Sequence, residues 1–130
     1  MTLNTPNITV KKNAETLFNF LNDVKNFELI MPENTDKFEI TDEGFLFALK
    51  GMPTIKLKLT ETIPNSKVIL GSVSDQFPFT LTANIEENKD DTAKVNFDFD
   101  GKFNPMISMM VKKPLQKFIN ALSENLEKLD

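Results

Sequence analysis

The side chains that could carry chemistry in this chain are carboxylates, lysine amines and hydroxyls. Its 130 residues include 19 Asp and Glu and 15 basic residues, all of them Lys, but no His, Cys, Trp, Tyr or Arg. The chain therefore lacks the usual general base near neutral pH, a thiolate nucleophile and the imidazole and thiolate ligands of metals. It also lacks the planar guanidinium that clamps an anion with two hydrogen bonds. This composition favours a non-catalytic role, although carboxylates and hydroxyls can still support catalysis.

Glu61 is the acidic residue whose position best suits acid–base chemistry. It follows Ile55, Leu57 and Leu59 at every second position, so an unbroken strand would turn its carboxylate toward the core. Burial in an apolar wall would raise the pKa of that carboxylate toward neutrality, where a general base works best. The alternative, which the uncertainty of strand ends favours, is that the strand bulges or twists there and leaves Glu61 in water.

Oxygen ligands for a metal ion are sparse in the sequence pattern. Asn96, Asp98 and Asp100 share one face of a predicted strand, and Ca²⁺ or Mg²⁺ binds through such oxygens. Side chains at alternate positions of an exposed strand are more typical of a solvated face. We therefore expect no metal and no cofactor. Gln76, between two predicted strands, could reach the mouth of a binding site or could be an ordinary loop residue.

Three thioethers lie close together at the start of the last predicted helix, in Met106, Met109 and Met110. Methionine adapts to apolar partners of different shapes, although it also fills gaps in ordinary cores. Pro114 removes the helical hydrogen bond to the Met110 carbonyl. This predicts either a kink that brings the methionine-rich turn to the mouth of a cavity or a helix that begins at Pro114. We expect residues 106–110 to border any cavity present.

The longest element that could position these groups is a C-terminal helix over residues 104–130. Asn104 is a preferred N-cap, and Pro105 suits the first helical position. Apolar residues recur at spacings of three and four and so share one helical face: Ile107, Val111, Leu115, Phe118, Ile119, Leu122, Leu126 and Leu129. The opposite face is polar, so we expect this helix to lie on an apolar surface.

Most of the remaining chain predicts short strands. A first strand over residues 7–11 precedes a helix that Asn13 caps and a second short helical segment that ends at Pro32. Alternating apolar and polar residues then predict six antiparallel strands, at 38–41, 45–50, 54–63, 67–74, 79–87 and 92–102. The sequence thus predicts one α+β domain over residues 1–130. In it, a seven-stranded antiparallel sheet wraps around the long C-terminal helix, and two short helices lie between strands 1 and 2.

This order of elements resembles the helix-grip fold of the START/SRPBCC superfamily, which includes the birch-pollen-allergen proteins and the polyketide cyclases. The specific part is the block AETLFNFLNDVKNFELIMP at residues 14–32. It is similar to a helix followed by an "lmP" segment in the polyketide cyclase/dehydrase and carbon monoxide dehydrogenase branches of the superfamily. Members of the superfamily mostly bind hydrophobic ligands between the sheet and the long helix, and some are enzymes. No catalytic motif of the family can be matched to residues of this chain.

The resemblance implies that the inward strand faces and the last helix enclose a pocket rather than filling each other. The candidate ligand-binding residues are then Phe45, Phe47, Ile55, Leu57, Leu59, Glu61, Phe79, Leu81, Phe97, Phe99, Met106, Met109 and Met110. For any single strand residue the alternative is ordinary core packing. Because the wall contains Phe but neither Tyr nor Trp, it offers area and shape without a hydroxyl or indole donor.

The expected function is therefore non-catalytic binding or carriage of a hydrophobic small molecule, such as a lipid, a quinone or a polyketide-like compound. One alternative is a cyclase- or dehydratase-type enzyme that uses an inward-facing acid. Another is a protein-interaction module of the chaperone-activator kind, which would have a filled core and an exposed apolar patch.

The charge and hydropathy of the chain limit its partners. The net charge is −4 with a pI near 4.9, and no basic stripe is present, so we expect no nucleic-acid partner. No run of about 18 apolar residues occurs, so we expect no stable membrane insertion. The pair Lys112 and Lys113 is too short a basic cluster to attract a membrane. The absence of Cys, and of a basic start followed by an apolar stretch, favours a cytoplasmic protein.

Overall fold

The structure is a computed structural model that describes residues 1–73 and 78–129. The predicted loop residue Gln76 lies outside these ranges. The helices within them are α1 (Ala14–Asn22) and α2 (Pro105–Lys128), and a 3₁₀ segment covers Val24–Ile30. The strands are β1 (Thr2–Asn4), β2 (Ile8–Val10), β3 (Thr35–Ile40), β4 (Gly44–Leu49), β5 (Ile55–Ile63), β6 (Lys67–Ser72), β7 (Phe79–Glu87) and β8 (Ala93–Gly101).

The strands form one antiparallel sheet in the order β1/β2, β8, β7, β6, β5, β4 and β3. β1 and β2 occupy one position in the sheet, because both pair with β8. Thr5, between them, keeps this edge joined. Its N–H donates to the Phe97 carbonyl at 3.0 Å, and its hydroxyl accepts from the Phe97 N–H at 2.8 Å. The predicted α+β helix-grip architecture is confirmed, with the first strand present in two short pieces.

The short helices follow β2 and pack on the inner face of the sheet. The Asn13 side chain caps α1 by accepting a hydrogen bond from the Thr16 N–H at 2.8 Å. The Glu87 carboxylate, at the end of β7, accepts a second one from the Ala14 N–H at 2.9 Å. Together α1 and the 3₁₀ segment bury Ala14, Leu17, Phe18, Leu21, Phe27 and Ile30. One part of the inner sheet face is thereby filled.

The long helix α2 lies against the sheet and the 3₁₀ segment. The Asn104 side chain accepts a hydrogen bond from the Ile107 N–H at 2.9 Å, as predicted for an N-cap. The helix continues through Pro114 and does not restart there. Near its other end, the Asn125 amide donates to the Ile30 carbonyl at 3.0 Å. The buried face consists of Leu115, Phe118, Ile119, Leu122, Ser123 and Leu126. No helix in the described part of the chain is long and apolar enough to span a membrane.

A bulge in β5 changes the face that its last residues occupy. Leu59 pairs with Leu70, whereas Glu61 pairs with Ile69, so Thr60 is the extra residue on β5. The Thr60 hydroxyl donates a hydrogen bond to the Ile69 carbonyl at 3.1 Å. One extra residue reverses the alternation, and Glu61 is therefore exposed on the outer face. The structure has the bulge that stood as the alternative to an inward-facing Glu61.

Candidate functional site: an apolar cavity

A cavity of about 70 Å³ lies between the inner face of the sheet and the first half of α2. The strands contribute Phe47, Ile55, Lys56, Leu57, Ser72, Phe79, Leu81 and Phe99 to its lining. The β4–β5 connection contributes Met52, Pro53 and Thr54, and the chain into and along α2 contributes Phe103, Val111, Leu115 and Phe118. The wall is therefore almost entirely apolar.

Stacked phenylalanine rings form much of this wall. The ring centroids of Phe79 and Phe99 are 5.0 Å apart, and those of Phe99 and Phe103 are 6.3 Å apart. On another side of the cavity, the Phe118 ring of α2 stacks on the Phe47 ring of β4 at 4.8 Å. Such pairs contribute about 0.5–1.5 kcal/mol each beyond the area that they bury. The cavity is thus bounded by rings that hold one another in place.

Phe103 reaches the cavity because Gly101, at the end of β8, has no side chain. A Cβ atom at position 101 would lie 2.7 Å from the Phe103 ring and 3.0 Å from the Phe99 ring. Both separations are tighter than ordinary van der Waals contact, so any larger residue would push a ring out of place. The end of the strand and the position of the cavity wall are therefore linked.

Several of the predicted ligand-binding residues line the cavity: Phe47, Ile55, Leu57, Phe79, Leu81 and Phe99. Phe45, Leu59 and Phe97 belong to the core but lie farther along their strands. The Phe45 ring packs between the rings of Phe27 and Phe38, with centroid distances of 5.2 and 5.1 Å. Alternation in the sequence identifies the inner face of a strand, but it does not indicate which end of that face other elements cover.

The methionines and Glu61 lie away from the cavity. Met106, Met109 and Met110 are 74%, 84% and 70% exposed. They share the face of α2 opposite to the buried one, and because the helix continues through Pro114, the methionine-rich turn is not brought inward. Glu61 is exposed beyond the bulge. The cavity lining includes none of these four described residues.

Few polar groups reach the cavity. Thr54 and Lys56 lie at its exposed rim. The Ser72 hydroxyl accepts a hydrogen bond from the Phe79 N–H at 3.2 Å. Among the described residues, no Asp or Glu belongs to the lining. The arrangement therefore offers apolar area and shape, with a lysine amine at the rim, rather than an acid–base pair.

The predicted oxygen cluster lies on the outer face of the sheet. The two carboxylate oxygens of Asp98 accept hydrogen bonds from the side-chain amides of Asn84, at 2.7 Å, and Asn96, at 3.4 Å. Asp100 is exposed. Within residues 1–73 and 78–129, no group of three or more acidic side chains is placed to hold a metal ion. The Asp98 carboxylate serves instead to join β7 and β8.

Some lining residues were not predicted from the sequence. Val111, Leu115 and Phe118 belong to the apolar stripe of α2, so their spacing marked them as inward-facing without indicating a cavity. Met52 and Phe103 lie in connections between elements, where alternation carries no signal. Their position depends on how those connections fold over the end of the sheet.

Solved structures share the architecture of this chain. A START superfamily protein from Mycobacterium smegmatis matches it with a TM-score of 0.69 at 15% identity, over 97% of this chain and 94% of that chain. This chain has the helix-grip fold of the START superfamily. The protein XoxI from Bacillus cereus has the same fold, with a TM-score of 0.75 at 12% identity, over 98% of this chain and 93% of that chain.

A third structure is the di-domain ARO/CYC protein BexL from the BE-7585A biosynthetic pathway. It matches this helix-grip chain with a TM-score of 0.66 at 17% identity, over 98% of this chain and 46% of BexL. No family model and no curated protein matches the chain at the level of sequence. The resemblance predicted from residues 14–32 and the element order is thus confirmed as a likeness of fold, and function has to be argued from the chemistry of the cavity.

Proposed function

We propose that this helix-grip protein binds a small hydrophobic molecule in the cavity between the sheet and α2 and carries it without chemical change. The observation that carries the proposal is the apolar cavity, with its wall of stacked Phe rings and aliphatic side chains. Concave, mostly apolar pockets with few polar groups are the usual form of a small-molecule site. Lipids, quinones and polyketide-like compounds are the ligand classes that suit such a wall.

The cavity must widen to hold a ligand of that size. Its volume is about 70 Å³, whereas apolar cavities of about 150 Å³ hold benzene and sites for drug-sized ligands measure roughly 300–1,000 Å³. Met52 and Phe103 are half-buried and belong to connections rather than to strands. They are the wall residues whose displacement costs the least packing and backbone pairing. Their outward movement is the proposed route by which the cavity opens.

Native mass spectrometry of the protein purified from its host tests this function. We expect a bound apolar compound that is released when the protein unfolds in organic solvent. Decanol, a neutral apolar probe, should then displace a hydrophobic fluorescent dye from the emptied protein. The absence of any co-purified compound, together with the failure of decanol to bind, would overturn the proposal.

A matched pair of variants separates binding in the cavity from binding at the surface. Val111 lines the cavity, so Val111→Phe places a ring in the space that a ligand would occupy. Met109 lies on the opposite face of the same helix, so Met109→Phe adds the same ring outside the cavity. Val111→Phe should weaken decanol binding by about tenfold, which corresponds to about 1.4 kcal/mol of binding free energy. Met109→Phe should leave it unchanged, and equal effects in both variants would place the ligand elsewhere.

A cyclase- or dehydratase-type activity, the alternative predicted from the sequence, requires an acid beside the ligand. Glu61 is exposed on the outer face, and no carboxylate of the described chain lines the cavity. The geometry therefore supports binding and carriage better than this activity. A cytoplasmic location stays a prediction.

The exposed methionines favour a second candidate function, the docking of a protein partner on α2. Met106, Met109 and Met110 form an apolar patch on the outer face of the helix, and such patches are typical of interaction sites. Replacing Met109 and Met110 with Ser should change the free energy of unfolding by no more than about 0.5 kcal/mol. A purified partner that binds the parent protein and not this variant would support docking, and equal binding to both would exclude the patch.

A further inference from the structure

A surface groove lies directly behind the part of the cavity wall that Phe118 forms. The groove has a volume of about 460 Å³ and is lined by Pro32, Asn34, Leu49, Lys50, Lys113, Pro114, Lys117, Phe118 and Ala121. Phe118 lines both the groove and the inner cavity. The turn after β4 is shared in the same way, with Lys50 at the groove and Met52 at the cavity. The Phe118 side chain therefore separates the two spaces.

The groove combines an apolar floor with a cationic rim. Leu49 and Phe118 are buried, whereas Lys50, Lys113 and Lys117 are exposed. Lys113 and Lys117 lie one helical turn apart on α2, so their side chains are neighbours. Lys50 comes from the opposite wall, where its N–H donates to the Asn34 carbonyl at 2.8 Å. The fold thus brings lysines from two separate elements to one groove.

The positive charge of the groove is not neutralised by the protein. No Asp or Glu of the described residues lines it, and these lysines form no salt bridge within the described part of the chain. Glu33, although it lies between two lining residues, is not part of the wall. Residues 101–123 include no acid at all, whereas the whole chain carries a net charge of −4. Mutual repulsion among clustered amines is relieved when an anion binds between them.

We infer that the groove binds the acidic head group of an amphiphile whose hydrocarbon tail enters the neighbouring cavity. The lysine amines donate charge-assisted hydrogen bonds to the oxygens of a carboxylate. Leu49 and Phe118 contact the carbons next to that head group, and rotation of the Phe118 ring joins the groove to the cavity. This inference rests on the proposed function and names the ligand class of that site, a long-chain acid rather than a neutral hydrocarbon or alcohol.

Decanoate and decanol test the inference, because they share a tail and differ in the charge of the head group. Calorimetric titration of the parent protein should show that decanoate binds about tenfold more tightly than decanol, as charge-assisted hydrogen bonds predict. In the double variant Lys113→Gln/Lys117→Gln this preference should disappear while the affinity for decanol is unchanged. The matched control is Lys112→Gln/Lys128→Gln, which removes two exposed lysines of the same helix that do not line the groove.

The outcomes distinguish this inference from the function on which it rests. Equal affinity of the parent protein for decanoate and decanol would overturn the inference and leave the proposed function standing. Loss of the preference in the control variant to the same extent would overturn it too, because the effect would be one of general surface charge. If inorganic phosphate alone displaced decanoate, the site would take a free anion without a tail, and the amphiphile would be excluded. Absence of binding by both compounds would overturn the inference and the proposed function together.

Discussion

The Phe118 ring of α2 stacks on the Phe47 ring of β4, with 4.8 Å between their centroids and 14° between their planes. Both residues are buried. The stack holds the middle of the long helix against the sheet at the point where the apolar cavity and the lysine-lined groove meet. The same contact therefore contributes to stability and closes the wall of the site.

Phe118→Ala should lower the free energy of unfolding by about 3–5 kcal/mol, the usual cost of removing a buried aromatic ring. The space left behind joins the cavity, so decanol should recover part of the loss. A ligand at about 100 times its Kd adds about 2.7 kcal/mol to stability. Urea unfolding with and without decanol measures both effects. Phe45→Ala is the control, since Phe45 is also buried but lies away from the cavity. Equal recovery in the two variants would argue against the cavity as the site.

Glu61→Gln should leave decanol binding unchanged at acidic, neutral and alkaline pH. The bulge at Thr60 places this carboxylate on the outer face of the sheet, in water and away from the ligand. Dye displacement across that pH range, for the parent protein and the variant, is the measurement. A binding step near neutral pH that is present in the parent and lost in the Gln variant would contradict the structure and favour the enzyme alternative.

Asp90 should ionise at a lower pH than an ordinary aspartate. The Thr92 hydroxyl donates a hydrogen bond to its carboxylate, and this lowers the pKa of Asp90 below the usual 3.8. Because the pKa is lower in the folded state, the stabilising contribution is present above about pH 3.8 and is lost as the pH falls through the folded-state pKa. Carbon-detected NMR titration should show the pKa rising toward 3.8 in Thr92→Val. The same pKa in both proteins would contradict this role of Thr92.

Most of the fold was predictable because its elements have strong periodic signals. The predicted strand 79–87 has the bounds of β7, and the N-cap at Asn104 is where the apolar stripe of α2 indicated it. The first strand was less predictable. It breaks between β1 and β2 around Thr5, whose hydroxyl replaces a backbone partner by bonding to the Phe97 N–H, and such a substitution leaves no periodic pattern.

The cavity was only partly predictable because it depends on what covers each end of the sheet. Ile55 and Leu59 look equivalent in the alternation of β5, but only Ile55 lines the cavity, while Leu59 adjoins the bulge. The methionine-rich turn was expected at the cavity on the assumption of a kink at Pro114. In a continuous helix, the phase of Met109 relative to Leu115 directs it to solvent. Tertiary contacts, rather than local pattern, decide these positions.

Intermolecular nuclear Overhauser effects between decanol and the methyl groups of the protein test the central claim most directly. Ile55 and Leu115 line the cavity, whereas Leu29 and Ile63 are exposed elsewhere on the surface. If the cavity is the ligand site, the decanol tail should show contacts to the methyl groups of Ile55 and Leu115 and none to those of Leu29 and Ile63. Contacts confined to the exposed methyl groups, or no contacts at saturating decanol, would contradict the claim that this cavity binds the ligand.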